Sequence, residues 1–331
     1  MMNEEISTVV AIGPSDPLPT WCESAWNLLA SRAANGTLPH ALLLCGPTGL
    51  GKRAVVEMFV RARLCEMPRD GRACGVCRAC KLLAVGTHPD RMRVKLEPNP
   101  KTGVMRKEIV IDQVRELSAR LAMSSQLSGW QVAVIDPAEA LNTAAQNALL
   151  KTLEEPTDAS LIVLVTDEPW RLSATIRSRC QRIDIAVPPT SEALAWLETR
   201  GVASAEPLLA AAGGNPGQAW LLAEQGGMQR RQEVARDLLA LAKGGGDVRA
   251  IGKIWADDEP QQRLEHAARL LEGALRLRAE GERGRFDPGW DDETLAARFL
   301  EANRLRVLLN GPLRTDLVLF DWLNGLPVGI P

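Results

Sequence analysis

The chain has 331 residues, of which 46% are hydrophobic and 24% are charged, and this length predicts two or three domains with ordinary cores. Its 39 basic and 41 acidic residues nearly cancel, which excludes an overall basic field that would hold nucleic acid nonspecifically. No run approaches the roughly 20 apolar residues that cross a bilayer, and the first residues lack the order of a signal peptide. We therefore expect a soluble, cytoplasmic protein with no membrane partner.

The first 187 residues alternate short apolar runs with helical patterns, which predicts an α/β domain built on a doubly wound parallel sheet. Each of three runs is continuously apolar and about five or six residues long, as expected for a central strand that is buried on both faces. The predicted strands are Ala41 to Cys45, Val132 to Asp136 and Leu161 to Thr166.

Two adjacent prolines, Pro188 and Pro189, predict a domain boundary after residue 187. Residues 188–228 then predict a small helical domain, and residues 229–331 predict an all-helical C-terminal domain, because no β-like run returns. Apolar residues recur at helical spacing in this last part and predict one packed stripe per helix. The stripes comprise Leu264, Ala268, Leu271 and Leu275 in one helix, and Leu313, Leu317 and Phe320 in another.

A phosphate-binding loop is the clearest motif in the chain. Gly46, Gly49, Gly51 and Lys52 follow the strand that ends at Cys45 and precede a helical pattern, which is the context of a P-loop. Its glycines let backbone N–H groups converge on a phosphate at a helix N-terminus, and Lys52 is placed to reach the β and γ oxygens. The spacing therefore predicts a nucleotide site.

This nucleotide site lacks groups that ATP hydrolysis needs. Arg53 replaces the Ser or Thr whose hydroxyl holds Mg²⁺. About 4 Å from a divalent cation, its guanidinium would be repelled by roughly 8 kcal/mol, so we expect Arg53 to turn away. Asp136 is placed to hold a water of Mg²⁺, but Pro137 follows it where a general base is needed, and Glu139 is expected to point elsewhere. ATP or ADP should bind weakly or not at all.

Four cysteines cluster in an insertion at about residues 65–80. Cys65, Cys74, Cys77 and Cys80 have the spacing C-x8-C-x2-C-x2-C, and four thiolates fill a tetrahedral Zn²⁺ site, so we predict a structural zinc. The alternative is an iron–sulfur cluster, although Ala84 stands where a ferredoxin motif has its fourth cysteine. A nucleic-acid-binding zinc module is a further alternative, which the absence of aromatic residues in the loop disfavours.

Residues 147–156, NALLKTLEEP, and residues 175–180, TIRSRC, carry a family resemblance. Together with His40 before the P-loop and residues 88–90 after the cysteines, they make the chain resemble the bacterial clamp-loader subunits of the AAA+ family. The resemblance is specific over about residues 38–180 and only architectural beyond them. It implies a RecA-like AAA+ domain with a zinc insertion, then a small helical lid domain, then a C-terminal helical collar that oligomerises.

The resemblance also implies how the chain acts. Motor subunits of the family carry a sensor arginine in the second domain, where this chain has Gly217. The motif Ser178-Arg179-Cys180 remains, and in the family it directs an arginine at the nucleotide of the neighbouring subunit. The resemblance thus implies a non-hydrolysing subunit of a DNA polymerase holoenzyme, with Arg179 as an arginine finger in trans and Ser178 beside it.

The partners that the resemblance implies are gamma/tau-type motor subunits, a delta-type subunit, the sliding clamp and primed DNA. Two alternatives remain open. Arg179 could pair only with a carboxylate of its own surface. The chain could also be an autonomous P-loop ATPase with atypical motifs, in which Glu139 supplies the base.

Overall fold

The computed structural model describes residues 12, 17–127, 129–224, 227–309 and 313–328. Its contacts divide the chain into two compact units. The first comprises Met1–Trp196 with Asn215–Gln218, and the second comprises Leu197–Gly214 with Ala219–Pro331. The division into three domains stays a prediction beside these two units. Among the described residues, no helix combines the length and the apolar composition needed to cross a lipid bilayer.

A five-stranded parallel sheet forms the centre of the first unit. Its strands are β1 (Ala41–Cys45), β2 (Arg91–Val94), β3 (Gln131–Ile135), β4 (Ser160–Thr166) and β5 (Gln181–Asp184). They lie in the order β2-β3-β4-β1-β5, so β1, which leads into the P-loop, is flanked by β4 and β5. The three predicted strands are confirmed with ends shifted by at most one residue. The mixed sequences of the edge strands β2 and β5 gave no strand signal.

Helices cover both faces of this sheet. The helices up to residue 199 are α1 (Glu23–Ala34), α2 (Lys52–Leu64), α3 (Arg78–Ala84), α4 (Ile111–Leu121), α5 (Thr143–Glu154), α6 (Ala174–Arg179) and α7 (Thr190–Thr199). Successive strand residues point to opposite faces, so Leu42 and Leu44 pack with α1 and α2 while Leu43 packs with α4 and α5. The predicted doubly wound α/β fold is confirmed.

The described residues of the second unit form helices joined by loops, and none of them forms a strand. The remaining helices are α8 (Ala205–Ala211), α9 (Pro216–Glu224), α10 (Gly227–Ala242), α11 (Val248–Asp257), α12 (Pro260–Ala279), α13 (Asp292–Leu308) and α14 (Thr315–Asn324). The predicted stripe on α12 is buried at Leu264, Ala268 and Leu271. The second predicted stripe is wrong, because Leu317 is 56% exposed and α14 instead buries residues 319, 322 and 323.

Candidate functional site

The P-loop lies between β1 and α2 as its motif predicts, but the ammonium group of its lysine is bound by other residues of the same chain. Lys52 Nζ donates to Gly46 O at 2.6 Å and to Pro47 O at 2.8 Å, and it lies 2.6 Å from Asp167 Oδ1. The ammonium group has three N–H donors, of which two bind the carbonyl oxygens, and the group also forms an ion pair with the Asp167 carboxylate. The Lys52 side chain is only 1% exposed. A phosphate oxygen would have to compete with these two carbonyl oxygens and with the Asp167 carboxylate for the lysine ammonium.

Asp167, the residue directly after β4, is the centre of this network. Thr48 Oγ1 donates to Asp167 Oδ2 at 2.5 Å, and the backbone N–H of Asp167 donates to Glu139 Oε1 at 3.2 Å. Burial alone would raise the pKa of Asp167, but the charge and hydrogen bond of Lys52 outweigh it and hold that pKa below its ordinary value. Glu139 therefore lies at this edge of the sheet, and the expectation that it points elsewhere is wrong.

Arg53 forms a bidentate ion pair with Asp136, the residue expected to hold a water of Mg²⁺. Nε lies 2.8 Å from Asp136 Oδ2 and Nη2 lies 2.8 Å from Asp136 Oδ1, while Nη2 is also 3.8 Å from Asp167 Oδ2. Burial would lower the pKa of Arg53, but the hydrogen bonds and charge of Asp136 raise it. The expectation that Arg53 turns away is wrong, because two carboxylates at the end of the sheet attract its guanidinium.

The segment Asn215–Gln218 packs directly on the P-loop within the first unit. Asn215 Nδ2 donates to Thr48 O at 2.9 Å, and Gln218 Nε2 donates to the same oxygen at 3.4 Å. A Cβ atom on Gly217 would clash with the carbonyl oxygen of Gly49. Gly217, where the resemblance implies the sensor arginine of motor subunits, therefore lies against the loop backbone and has no room for a side chain.

The loop residue Leu50 is also held by side chains of the chain. Trp21 Nε1 donates to Leu50 O at 2.9 Å, and Cys22 Sγ donates to the same oxygen at 3.1 Å. The ring of Trp21 meets that of Trp196 edge-on, with centroids 5.7 Å apart. Trp21 and Cys22 thus hold the loop at Leu50 through two hydrogen bonds, and Trp196 packs on Trp21.

Arg179 lies at the C-terminal end of α6, outside the described P-loop network. Its Nη2 is 2.6 Å from Glu154 Oε1, and its Nη1 donates to Thr175 O at 3.1 Å. Ser178 Oγ donates to the same carbonyl at 3.0 Å. The Arg179 side chain is 34% exposed and that of Glu154 is 48% exposed, and such a surface pair is worth at most about 1 kcal/mol. A stronger anion could therefore take the guanidinium from Glu154.

The four cysteines meet as their spacing predicts. Their Sγ atoms all lie within 4.8 Å of one another, with Cys65 and Cys77 at 3.9 Å and Cys74 and Cys80 at 4.0 Å. Tetrahedral Zn²⁺ with bonds of about 2.3 Å needs sulfurs about 3.8 Å apart, so the geometry fits this ion. Backbone amides of Val76 and Cys77 lower the pKa of Cys74 to about 6, which favours the thiolate that binds metal.

Comparisons with known proteins agree with this arrangement. A family model described as "DNA polymerase III, delta subunit" matches residues 21–189, just over half of the chain. The DNA polymerase III subunit delta' of Pseudomonas aeruginosa is 40% identical over 67% of this chain and 66% of that protein. The subunit delta' of Escherichia coli is 35% identical over 77% of this chain and 75% of that protein. The chain belongs to the DNA polymerase III delta' family.

The family membership confirms the clamp-loader resemblance and the AAA+ fold class. A further relative, DNA polymerase III subunit tau of Bacillus subtilis, is 35% identical over 44% of this chain and 24% of that protein. The segment that matches the delta subunit model contains the P-loop, the four cysteines and Arg179. All the predicted site residues therefore lie within the family's own segment.

The structure adds site residues that motif analysis did not find. Asp167 follows β4, which pairs with β1, and the carboxyl ends of neighbouring parallel strands meet at one edge of the sheet, so this position carried a usable signal. Thr48, Asn215 and Gln218 had no such signal. Their contacts join positions up to 170 residues apart, which local patterns do not encode.

Proposed function

We propose that the chain is a non-hydrolysing subunit of a clamp loader that supplies Arg179 as an arginine finger to the ATP site of a neighbouring subunit. The observation that carries this proposal is the pairing of both P-loop cations, Lys52 with Asp167 and Arg53 with Asp136. Phosphate binding would have to break these pairs and displace the backbone contacts of Lys52. The chemistry of ATP then belongs to other subunits.

The exposed position of Arg179 supports its role in trans. Its guanidinium can release the exposed carboxylate of Glu154 for a phosphoryl group, which carries more negative charge and accepts bidentate hydrogen bonds. An arginine finger supplied in trans is worth roughly 10³ to 10⁵ in rate at the site that it completes. Ser178 and Arg179 both donate hydrogen bonds to the carbonyl oxygen of Thr175, and these bonds stabilise the C-terminal end of α6.

The assembly we propose follows from the family. The chain would join gamma/tau-type motor subunits and a delta-type subunit in the cytoplasm, and its C-terminal helices would form part of an oligomeric collar. The complete complex would open the sliding clamp and place it on primed DNA. The four-cysteine insertion would hold one Zn²⁺, which would cross-link the loop and have no catalytic role.

The experiment that tests this function compares Arg179→Ala with Arg177→Ala, a matched change at an exposed arginine of the same helix. Each variant is assembled with the motor and delta-type subunits, and DNA-stimulated ATPase and clamp loading are measured. Arg179→Ala should leave the thermal midpoint and the assembly intact but lower both activities several-fold, since one of several ATP sites loses its finger. Arg177→Ala should match the wild type. Unchanged activity with Arg179→Ala would contradict the proposal.

A further inference from the structure

A cavity of about 240 Å³ lies beside the cysteine insertion. Its walls come from α1, from α2 and from the loop between the first two cysteines. The contributing residues include Ala30, Ala33, Phe59, Ala62, Arg63 and Gly71. Apart from Arg63, these side chains are apolar or absent, so the cavity favours an apolar group.

One wall of the cavity carries a cation whose charge is not neutralised. The Arg63 guanidinium stacks 3.6 Å from the ring centroid of Trp130, and its buried Nε has no hydrogen-bond acceptor. Burial lowers the pKa of Arg63, and no carboxylate opposes that shift. The neighbouring arginines Arg61 and Arg91 both pair with Glu57, whereas Arg63 forms no ion pair among the described residues. A partly buried cation whose buried Nε lacks an acceptor favours an anionic partner.

The loop that closes the cavity belongs to the metal module. Pro68 and Gly71 lie between Cys65 and Cys74, and a Cβ atom on Gly71 would come within 3.9 Å of Ala30 Cβ. The loop therefore rests on α1, and its position depends on the cysteine cluster. Its exposed arginines, Arg69 and Arg72, are balanced by the exposed acids Glu66 and Asp70, so the unpaired charge at the cavity is that of Arg63.

We propose that this cavity is a docking site for a partner polypeptide that inserts one large apolar side chain next to a carboxylate. The volume lies below the roughly 300 Å³ at which small-molecule sites begin, but it accommodates a single side chain. The planar guanidinium of Arg63 matches a carboxylate in geometry and charge. An acidic, apolar peptide segment fits both features, and this assignment is independent of Arg179.

The test is selection of a random heptapeptide phage library on the full zinc-loaded chain. The Ala33→Trp variant, whose new side chain fills the cavity, is used for counter-selection. If the thermal midpoint or metal content of Ala33→Trp shows that it is misfolded, the Ala30→Leu variant is used instead. The selected peptides should share an apolar residue beside Asp or Glu. A synthetic consensus peptide should lose about tenfold in affinity with Arg63→Gln, as expected for a charge-assisted hydrogen bond.

Arg115→Gln is the matched control, because Arg115 is an arginine with a 68% exposed side chain on another helix of the same unit. It should change the affinity by less than about twofold. Three results would overturn the proposal: no enrichment, a consensus without the apolar–acidic pair, or equal affinity for the wild type and Arg63→Gln.

Discussion

Lys52 and Arg53 are adjacent cations, and each meets a carboxylate at the carboxyl edge of the sheet. Lys52 lies 2.6 Å from Asp167, and Arg53 lies 2.8 Å from Asp136. In an active P-loop the corresponding groups face phosphate and Mg²⁺. Here a guanidinium occupies the vicinity of the acidic residue that would face the metal. The substitution at position 53 therefore changes the partner of Asp136 as well as removing a hydroxyl.

His266, which is 4% exposed, makes stability depend on pH at the level of a single residue. Burial, followed by the charge of Arg231, lowers its pKa to about 4, and the facing charges of Arg230, Arg269 and Glu265 are included in that value. The unfolded chain takes up the proton near pH 6.5 and the folded chain only near pH 4, so stability falls as the pH drops between these values. The expected loss is roughly 3 kcal/mol.

Urea denaturation of the wild type and His266→Gln at pH 7.0, 5.5 and 4.5 measures this loss. The free energy of unfolding of the variant should depend less on pH, and the difference between the two proteins should shrink or reverse at low pH. Acid also affects the cysteine cluster, but it does so equally in both proteins. Parallel pH curves for the two proteins would show that His266 is not the group responsible.

At the scale of elements, the segment Asn215–Gln218 is held against the P-loop by backbone contact. Gly217→Ala should destabilise the fold by about 1 to 3 kcal/mol, because its methyl group meets the carbonyl oxygen of Gly49. Gly273→Ala is the matched control. That helical glycine has nothing within 4 Å of a Cβ atom, so alanine should be neutral or stabilise by about 1 kcal/mol. Equal denaturation midpoints for the two variants would exclude the contact.

The fold of the cysteine insertion should depend on the metal that its four cysteines bind. We expect one Zn²⁺ per chain by metal analysis, and we expect chelation to lower the thermal midpoint because metal binding contributes to folding. Cys77→Ser should act like chelation, whereas Cys180→Ser, outside the cluster, should retain the metal. One equivalent of iron with visible absorbance would instead support the iron–sulfur alternative.

The elements with strong local signals were predictable, and those that depend on distant contacts were not. Strand β1 and helix α2 follow from a buried apolar run and a P-loop spacing, and the four cysteines from ligand spacing. The stripe predicted from Leu313, Leu317 and Phe320 is wrong, because Leu313 precedes α14 and the helix buries another face, which tertiary packing selects. The pairing of Arg53 with Asp136 spans 83 residues, so no local pattern specifies it.

At the scale of the whole molecule, the groups that would bind a nucleotide are turned inward and Arg179 stays near the surface. The P-loop contacts the carboxylates of two strand ends on one side and the segment Asn215–Gln218 on another. These contacts make the P-loop part of the packed first unit. We propose that the chain fills its own nucleotide site and acts through a neighbouring subunit.

The most direct measurement is nucleotide binding and hydrolysis by the purified chain alone, with and without Mg²⁺. We expect no turnover, and either no binding or weak binding that does not depend on Mg²⁺, because Lys52 and Arg53 already have partners. Lys52→Ala should then change stability and leave this absence of turnover as it is. Steady hydrolysis that disappears in Lys52→Ala would contradict the account and show that the chain is itself a motor.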